Sequence, residues 1–159
     1  MVALSAEVQD CPEMRKILVA AVGGGLGILV MILLGHEVGL ELALVPFTTS
    51  IVLVMSAPET PFAKPLNIFG GHVISALCGL LVVKLCGQNA WFAALAVGLA
   101  IAAMLATDTM HPPAGINALL MVVAHPPWTF VLMPVASGAL ILVAFSWAYQ
   151  KAAKAVAGG

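Results

Sequence analysis

The chain has 159 residues, of which 62% are apolar and only 8% are charged, and its formal net charge is -1. A soluble domain is about 45–50% apolar and about 25% charged, so a soluble core of this size could not bury so much apolar surface. Lys and Arg number 6 and Asp and Glu number 7, which leaves no basic footprint for nucleic acid. The composition predicts an all-α, polytopic membrane helix bundle that forms a single membrane domain over residues 1–159.

The first apolar segment, residues 17–35, is long enough to cross a bilayer, because a spanning helix needs about 20 apolar residues. Asp10, Pro12 and Glu13 precede it in a pattern typical of a helix start. We therefore expect the first helix to begin near Cys11.

The second apolar segment, residues 40–57, is interrupted by Pro46. Proline removes a backbone donor and disfavours helix at the residue before it. The pattern predicts a short helix over residues 46–56, then a polar loop rich in proline over residues 57–67. A third apolar segment, residues 70–87, is again long enough to span.

The second half repeats this order of long and short segments. Residues 90–107 form a fourth long apolar segment, which residues 108–113 break. Residues 114–124 form a second short piece, and residues 125–127 break the chain again. Residues 128–149 are predicted to form the last long span.

Each short piece follows a proline, Pro46 or Pro113, and these prolines lie 67 residues apart. Both short pieces begin with small or polar residues and continue as purely apolar runs. We interpret this as two three-helix repeats, over about residues 11–87 and 90–150. An odd number of elements turns the second copy over, and inverted repeats with broken short helices are typical of transporters.

Six crossings place five cations on one side of the membrane: Arg15, Lys16, Lys64, Lys151 and Lys154. Glu37 and Glu41 then lie on the other side. The positive-inside rule predicts that both termini are cytoplasmic. The acidic N-terminus does not fit a secretory signal, so we expect a bacterial inner membrane. If the second short piece instead dips in and out, the C-terminal lysines lie outside.

A helix that starts inside the membrane points unpaired N–H groups and a partial positive charge into its surroundings, and such an end favours an anion. We expect Thr48, Thr49, Ser50 and Asn117 to line one midplane cavity, with Gly115 allowing a ligand close to the backbone. The alternative is that the hydroxyl groups only cap helices and bind neighbouring carbonyls.

Asp108 and His111 lie three residues apart at the break after the fourth segment, where they could share a proton. His72 follows two glycines and is expected to face the same cavity. The alternative is that the break only ends the fourth helix. A second His-Pro-Pro begins at His125 and precedes Trp128, which is typical of an interfacial anchor, so His125 is interpreted as structural.

Three sequence blocks resemble the HPP family of integral membrane proteins, which is named for its His-Pro-Pro motif. They are residues 108–119 (Asp-Thr-Met-His-Pro-Pro-Ala-Gly-Ile-Asn-Ala-Leu), residues 45–50 (Val-Pro-Phe-Thr-Thr-Ser) and residues 58–76, with the Asn67, Gly70-Gly71-His72 and Ser75-Ala76 elements. The resemblance implies a compact membrane domain and a transport role, with nitrite uptake as the activity linked to some members.

The leading hypothesis is therefore a transporter of a small anion, nitrite among the candidates and a proton as the coupling ion, and not an enzyme. An intramembrane enzyme or a metal-binding protein remains the alternative, since the four histidines lie on four segments; a structural or sensor subunit is a third. His36 and Glu37 lack the second histidine of a zinc protease motif, and no Ser/His pair stands out. The bundle is small, which favours a homo-oligomer.

Two sets of small residues are expected to let helices pack closely. Because packing explains them, the sequence gives no reason to expect a cofactor. The two sets are Gly23 with Gly27, and Ala94 with Gly98 and Ala102.

Overall fold

The computed structural model describes residues 14–36 and 44–157 and shows only helices and turns within them. Six α-helices follow one another in these ranges: α1 (Met14–His36), α2 (Leu44–Ser56), α3 (Pro65–Cys86), α4 (Ala90–Ala106), α5 (Gly115–Val123) and α6 (Ser137–Ala157). Single turns of 3-10 helix lie before α3, at Pro61–Ala63, and before α5, at Pro112–Ala114. The prediction of an all-α helix bundle is confirmed.

Three of the described helical stretches are long and apolar enough to cross a membrane: Met14–Leu34, Pro65–Cys86 and Trp128–Val156. The shorter apolar stretches are Pro46–Ser56, Ala90–Ala106 and Pro112–Val123. α4 has 17 residues and therefore rises about 26 Å, slightly less than a hydrocarbon core of about 30 Å.

Two helices begin earlier than the sequence predicted, and both contain proline in the first turn. α2 begins at Leu44, two residues before Pro46, and α3 begins at Pro65 and not at Gly70. Proline is tolerated there because the first N–H groups of a helix have no partner within the helix. The predicted start near Cys11 lies outside the described residues, as do Glu37 and Glu41.

The last apolar segment is not one helix. A 3-10 turn covers Trp128–Val131, and α6 begins only at Ser137. Between them Met133 has a non-helical backbone, with φ -136° and ψ 113°, directly before Pro134. The predicted span over residues 128–149 lies within Trp128–Val156, which is long and apolar enough to cross a membrane, but it is not one regular helix, because Pro134 cannot continue a helix.

α3 is the central helix, since it contributes to each of the three apolar clusters that the described residues form. One cluster joins α3 to α1, α2 and α6, a second joins it to α4 and α5, and the third joins it to α5 and the turns before α6. Gly23 and Gly27 lie against Tyr149 and Phe145 of α6, which confirms their predicted role in packing. Ala94, Gly98 and Ala102 form an exposed face of α4 in this chain.

α3 and α5 approach each other almost backbone to backbone. A Cβ atom on Gly79 would lie 2.6 Å from the carbonyl oxygen of Ala118 and 2.7 Å from Cβ of Met121. One turn earlier, the backbone N–H of Ala118 donates to Oγ of Ser75, at 3.1 Å. This contact fixes the position of α5 along the axis of α3, and it places the first turn of α5 beside His72.

Candidate functional site

Four polar side chains form a cluster in the middle of the bundle, and each of them has no exposed surface: Ser50, His72, His111 and Asn117. We call this set the polar cluster. α2, α3, the segment after α4, and α5 each supply one member. His72 lies seven residues beyond the start of α3, or about 10 Å along its axis. The cluster therefore lies within the apolar part of the fold.

Hydrogen bonds connect the cluster into one chain. Oγ of Ser50 lies 2.9 Å from Nε2 of His72 and 2.9 Å from Nε2 of His111. Nδ2 of Asn117 lies 2.8 Å from Nδ1 of His72. At the other end, Nδ1 of His111 lies 2.7 Å from the carbonyl oxygen of Phe62, in the turn between α2 and α3.

The partners assign the tautomer of each neutral imidazole. A carbonyl oxygen only accepts, so Nδ1 of His111 carries the hydrogen and its Nε2 accepts. The amide of Asn117 donates to Nδ1 of His72, so Nε2 of His72 donates to Ser50. The hydroxyl of Ser50 then donates to His111. In each of the four bonds the donor is therefore on the Asn117 side and the acceptor is on the side of the Phe62 carbonyl.

The segment that carries His111 can enter the bundle because Gly70 and Gly71 leave room for it. A Cβ atom on Gly70 would lie 2.8 Å from Cγ2 of Thr109, and one on Gly71 would lie 2.7 Å from Cβ of His111. Asn67 fixes the same segment by donating from Nδ2 to the carbonyl oxygen of Met110, at 3.0 Å. The family blocks at residues 58–76 and 108–119 are therefore two sides of one contact.

The structure does not bring Asp108 and His111, the pair of the sequence-based hypothesis, into contact. The Asp108 side chain is exposed, and its backbone has φ 54°, in the left-handed region. Aspartate tolerates this conformation better than most residues, and Asp108 lies where the chain turns at the end of α4. His111 points the other way and donates to Phe62.

The remaining predicted site residues lie in three places. Ser50 and Asn117 are brought together, with a single imidazole ring between them. Thr48 and Thr49 lie on the exposed face of α2, where the Thr49 hydroxyl donates to the carbonyl oxygen of Pro46 at 3.2 Å. Gly115 is half-buried at the start of α5, and a Cβ atom there would meet nothing within 4 Å.

Asn117 leaves one polar atom of the cluster unsatisfied. Its Nδ2 donates to Nδ1 and to the carbonyl oxygen of His72, at 2.8 and 3.2 Å. Its Oδ1 is buried and has no hydrogen-bond partner among the described residues. A buried acceptor without a donor costs about 1–3 kcal/mol, so this atom is suited to accept a hydrogen bond from water or from a ligand.

Sequence reasoning missed two features of the cluster. It found no Ser/His pair, because Ser50 lies 22 residues from His72 and 61 from His111, and spacing gives no sign of the contact. It also missed Phe62, whose contribution is a backbone carbonyl and has no residue signature. His125 is exposed and has φ 48°. In the described ranges no three His, Cys, Asp or Glu side chains come together as metal ligands.

This arrangement defines an integral membrane helix bundle with a polar centre built from three sequence blocks. The chain belongs to the HPP transmembrane family, because the model of that family's transmembrane region matches residues 9–157. The resemblance inferred from the motifs is thereby confirmed.

Two curated transmembrane proteins of Dictyostelium discoideum are similar to this chain. One is 40% identical over 130 residues, which covers 74% of this chain and 42% of the relative. The other is 36% identical over 129 residues, which covers 74% of this chain and 45% of the relative. The chain spans less than half the length of these relatives. No solved structure matches it.

Proposed function

We propose that this protein transports a small monovalent anion across a membrane, that nitrite is a substrate, and that the polar cluster is the centre of the pathway. One observation carries the proposal. Two imidazoles joined through one hydroxyl group are fully buried inside an apolar bundle.

The cost of polar groups inside a membrane supports this function. Ionisable residues at membrane depth are expensive, and those that are retained mark substrate pathways and proton relays. Here they lie where α2 and α5, two short helices with proline at their starts, meet α3. Broken helices that meet at a midplane site are typical of secondary transporters.

The cluster can take up one proton with little movement. In the neutral state the Ser50 hydroxyl donates to Nε2 of His111. The carbonyl oxygen of Pro46 lies 3.0 Å from the same hydroxyl. If Nε2 of His111 gains a proton, Ser50 can turn its hydroxyl hydrogen to Pro46 and accept from both imidazoles. Every partner stays satisfied, and His111 becomes a cation.

A proton held at His111 would favour both the binding of the anion and its movement across the membrane. The cation attracts the anion into the cluster, and the pair carries no net charge. Moving one unpaired charge against the membrane potential involves about 2.3 kcal/mol per 100 mV. Coupling the anion to a proton removes this term, and we propose that transport is proton-coupled on this basis.

Uptake into proteoliposomes tests the function. The purified chain is reconstituted and offered nitrite, nitrate, formate and chloride in turn, with and without an inward proton gradient. We expect nitrite uptake that a proton gradient accelerates and that protein-free vesicles lack. Absence of uptake of every anion in the panel, by protein shown to be folded, contradicts the proposal.

A dependence on pH follows from the proton at His111. Uptake should fall as the pH rises, because the cationic form is lost, and His111→Gln should lose most of its uptake and show no such fall. The matched control is His125→Gln, which changes an exposed histidine. Asp108→Asn should keep the native profile, and its loss of uptake would restore the hypothesis of an Asp108–His111 relay.

An intramembrane hydrolase is the second candidate, because one observation favours it. Ser50, His111 and the carbonyl of Phe62 have the order of nucleophile, base and orienting group. Against it, the Ser50 hydroxyl already lies within hydrogen-bond distance of three groups, on Pro46, His72 and His111. A fluorophosphonate probe decides between them. Labelling of Ser50 supports the hydrolase, and uptake without labelling supports the transporter.

The orientation of the chain is tested by cysteine labelling from outside intact cells. Cys86 is exposed at the end of α3, and the proposed orientation predicts that it reacts with an impermeant maleimide. Val156→Cys, placed in a chain with Cys11→Ser and Cys86→Ser, should react only after the cells are opened. Labelling of this Val156→Cys chain from outside would contradict six crossings.

A further inference from the structure

A second feature of the molecule lies away from the polar cluster, at the end where α1 begins and α6 ends. It is a cavity of about 510 Å³ between α1, the end of α2, the loop after it and α6. This volume falls in the range of about 300–1,000 Å³ typical of small-molecule sites. We call it the basic cavity.

Cations outnumber carboxylates in the lining of the basic cavity. Its described lining holds three cations, Arg15, Lys16 and Lys154, and one carboxylate, Glu59. Arg15 reaches from α1 to α6, where its Nη2 donates to the carbonyl oxygen of Ala153 at 3.4 Å. The guanidinium group is thereby held at the rim, with other N–H groups available to a ligand.

The wall of the cavity changes character with depth. Val19, Ala20 and Met55 supply apolar lining, whereas the cations come from the first turn of α1 and the last turns of α6. The site therefore combines an apolar wall that continues into the membrane with a cationic rim at its surface. Basic pockets between membrane helices bind phospholipid head groups through this combination.

We propose that the basic cavity binds a phosphate group, supplied by an anionic phospholipid whose acyl chains lie along the apolar wall. Arg15 and Lys154 bind the phosphate oxygens from two helices that are distant in sequence. The lipid thereby holds the beginning of α1 against the end of α6. This site is independent of the anion that the polar cluster is proposed to transport.

Titration of the purified full chain with lipid, read by native mass spectrometry, tests the site. Phosphatidylglycerol should bind more tightly than phosphatidylcholine. Arg15→Gln and Lys154→Gln should each weaken phosphatidylglycerol binding about fivefold, the equivalent of about 1 kcal/mol per cation near a membrane surface. Ala153→Trp should also weaken it, since it fills the cavity and leaves every charge in place.

Lys151→Gln is the matched control. Lys151 lies on the same helix as Lys154, but it sits over the ring of Trp147, 4.9 Å from the ring centroid, and does not line the cavity. The Lys151→Gln chain should bind phosphatidylglycerol as the native chain does. Equal weakening by Lys151→Gln, or native binding by the Arg15→Gln/Lys154→Gln chain, overturns the proposal.

Competition identifies the source of the phosphate. If soluble glycerol phosphate displaces phosphatidylglycerol at similar concentrations, the phosphate site stands and its ligand is a free phosphate ester. If glycerol phosphate fails where phosphatidylglycerol succeeds, the acyl chains contribute and the lipid is the ligand. Displacement of phosphatidylglycerol by nitrite alone would overturn the proposal, because the cavity would then be the mouth of the anion pathway.

Discussion

Replacing Gly79 with leucine is expected to destabilise the protein by at least about 3 kcal/mol, at the upper end of the usual cost of overpacking. The reason is the backbone contact between α3 and α5, where even a Cβ atom would lie 2.6 Å from the carbonyl oxygen of Ala118. A backbone atom cannot turn away as a side chain can. The two helices must separate, and the hydrogen bond from Ala118 to Ser75 is lost with the contact. Thermal unfolding in detergent measures the effect.

Gly98→Leu is the control for this prediction. Gly98 also lies within an apolar helix, but a Cβ atom there meets nothing within 4 Å. It should unfold at or slightly above the native temperature, because leucine is the better helix former. If both variants lose stability equally, the helices are sensitive to leucine in general and the α3–α5 contact is not the cause.

Ser50→Ala is expected to abolish uptake and to cost about 2–6 kcal/mol of stability. The Ser50 hydroxyl is the partner of both Nε2 atoms in the cluster. Its loss leaves one buried donor and one buried acceptor unsatisfied, at about 1–3 kcal/mol each. It also removes the group that, in the proposed mechanism, lets His111 take up a proton and keep its partners.

Ser56→Ala separates this effect from an ordinary loss of a hydroxyl group. Ser56 lies on the same helix and donates to the carbonyl oxygen four residues earlier, at 2.7 Å, and the Ser50 hydroxyl lies 3.0 Å from the corresponding carbonyl oxygen of Pro46. Its side chain is exposed, so uptake and stability should stay close to native. Uptake by Ser50→Ala at the native rate would remove the polar cluster from the mechanism.

Much of the fold could be predicted from the sequence, because apolar runs of membrane length leave few alternatives to helix. Proline placed most of the breaks, and the sequence indicated α2 and α5 as short helices for this reason. The sequence did not indicate a break where a proline lies within a long apolar run. Pro134 interrupts such a run, and its effect was overlooked within residues 128–149.

The site could be predicted in part, and helix geometry explains the division. Ser50 and Asn117 each lie four residues after a proline near the start of a short helix, and both side chains point into the bundle. Thr48 and Thr49 precede Ser50 by about 200° and 100° around the helix axis, and both face outward. Adjacent residues in sequence are not neighbours on one helix face, which the predicted cavity did not take into account.

Glycine spacing held information that the sequence analysis did not use. Gly70 and Gly71 were noted only as the residues before His72, yet they form the surface on which the His-Pro-Pro segment lies. A pair of glycines in the first turns of a membrane helix indicates that another chain segment passes close by. The carbonyl of Phe62 could not be predicted in the same way, since any residue at that position offers one.

The two bonds to His72 give Ser50 and Asn117 opposite hydrogen-bonding roles toward the same ring. Ser50 and Asn117 lie 67 residues apart in matching places and bond to opposite nitrogens of one ring. A neutral imidazole presents a donor at one nitrogen and an acceptor at the other. One position must therefore donate to the ring and the other must accept from it, as Asn117 and Ser50 do. In the predicted repeat, matching positions of the two halves thus have opposite hydrogen-bonding roles toward one shared ring, and His72 itself makes the two halves chemically unequal.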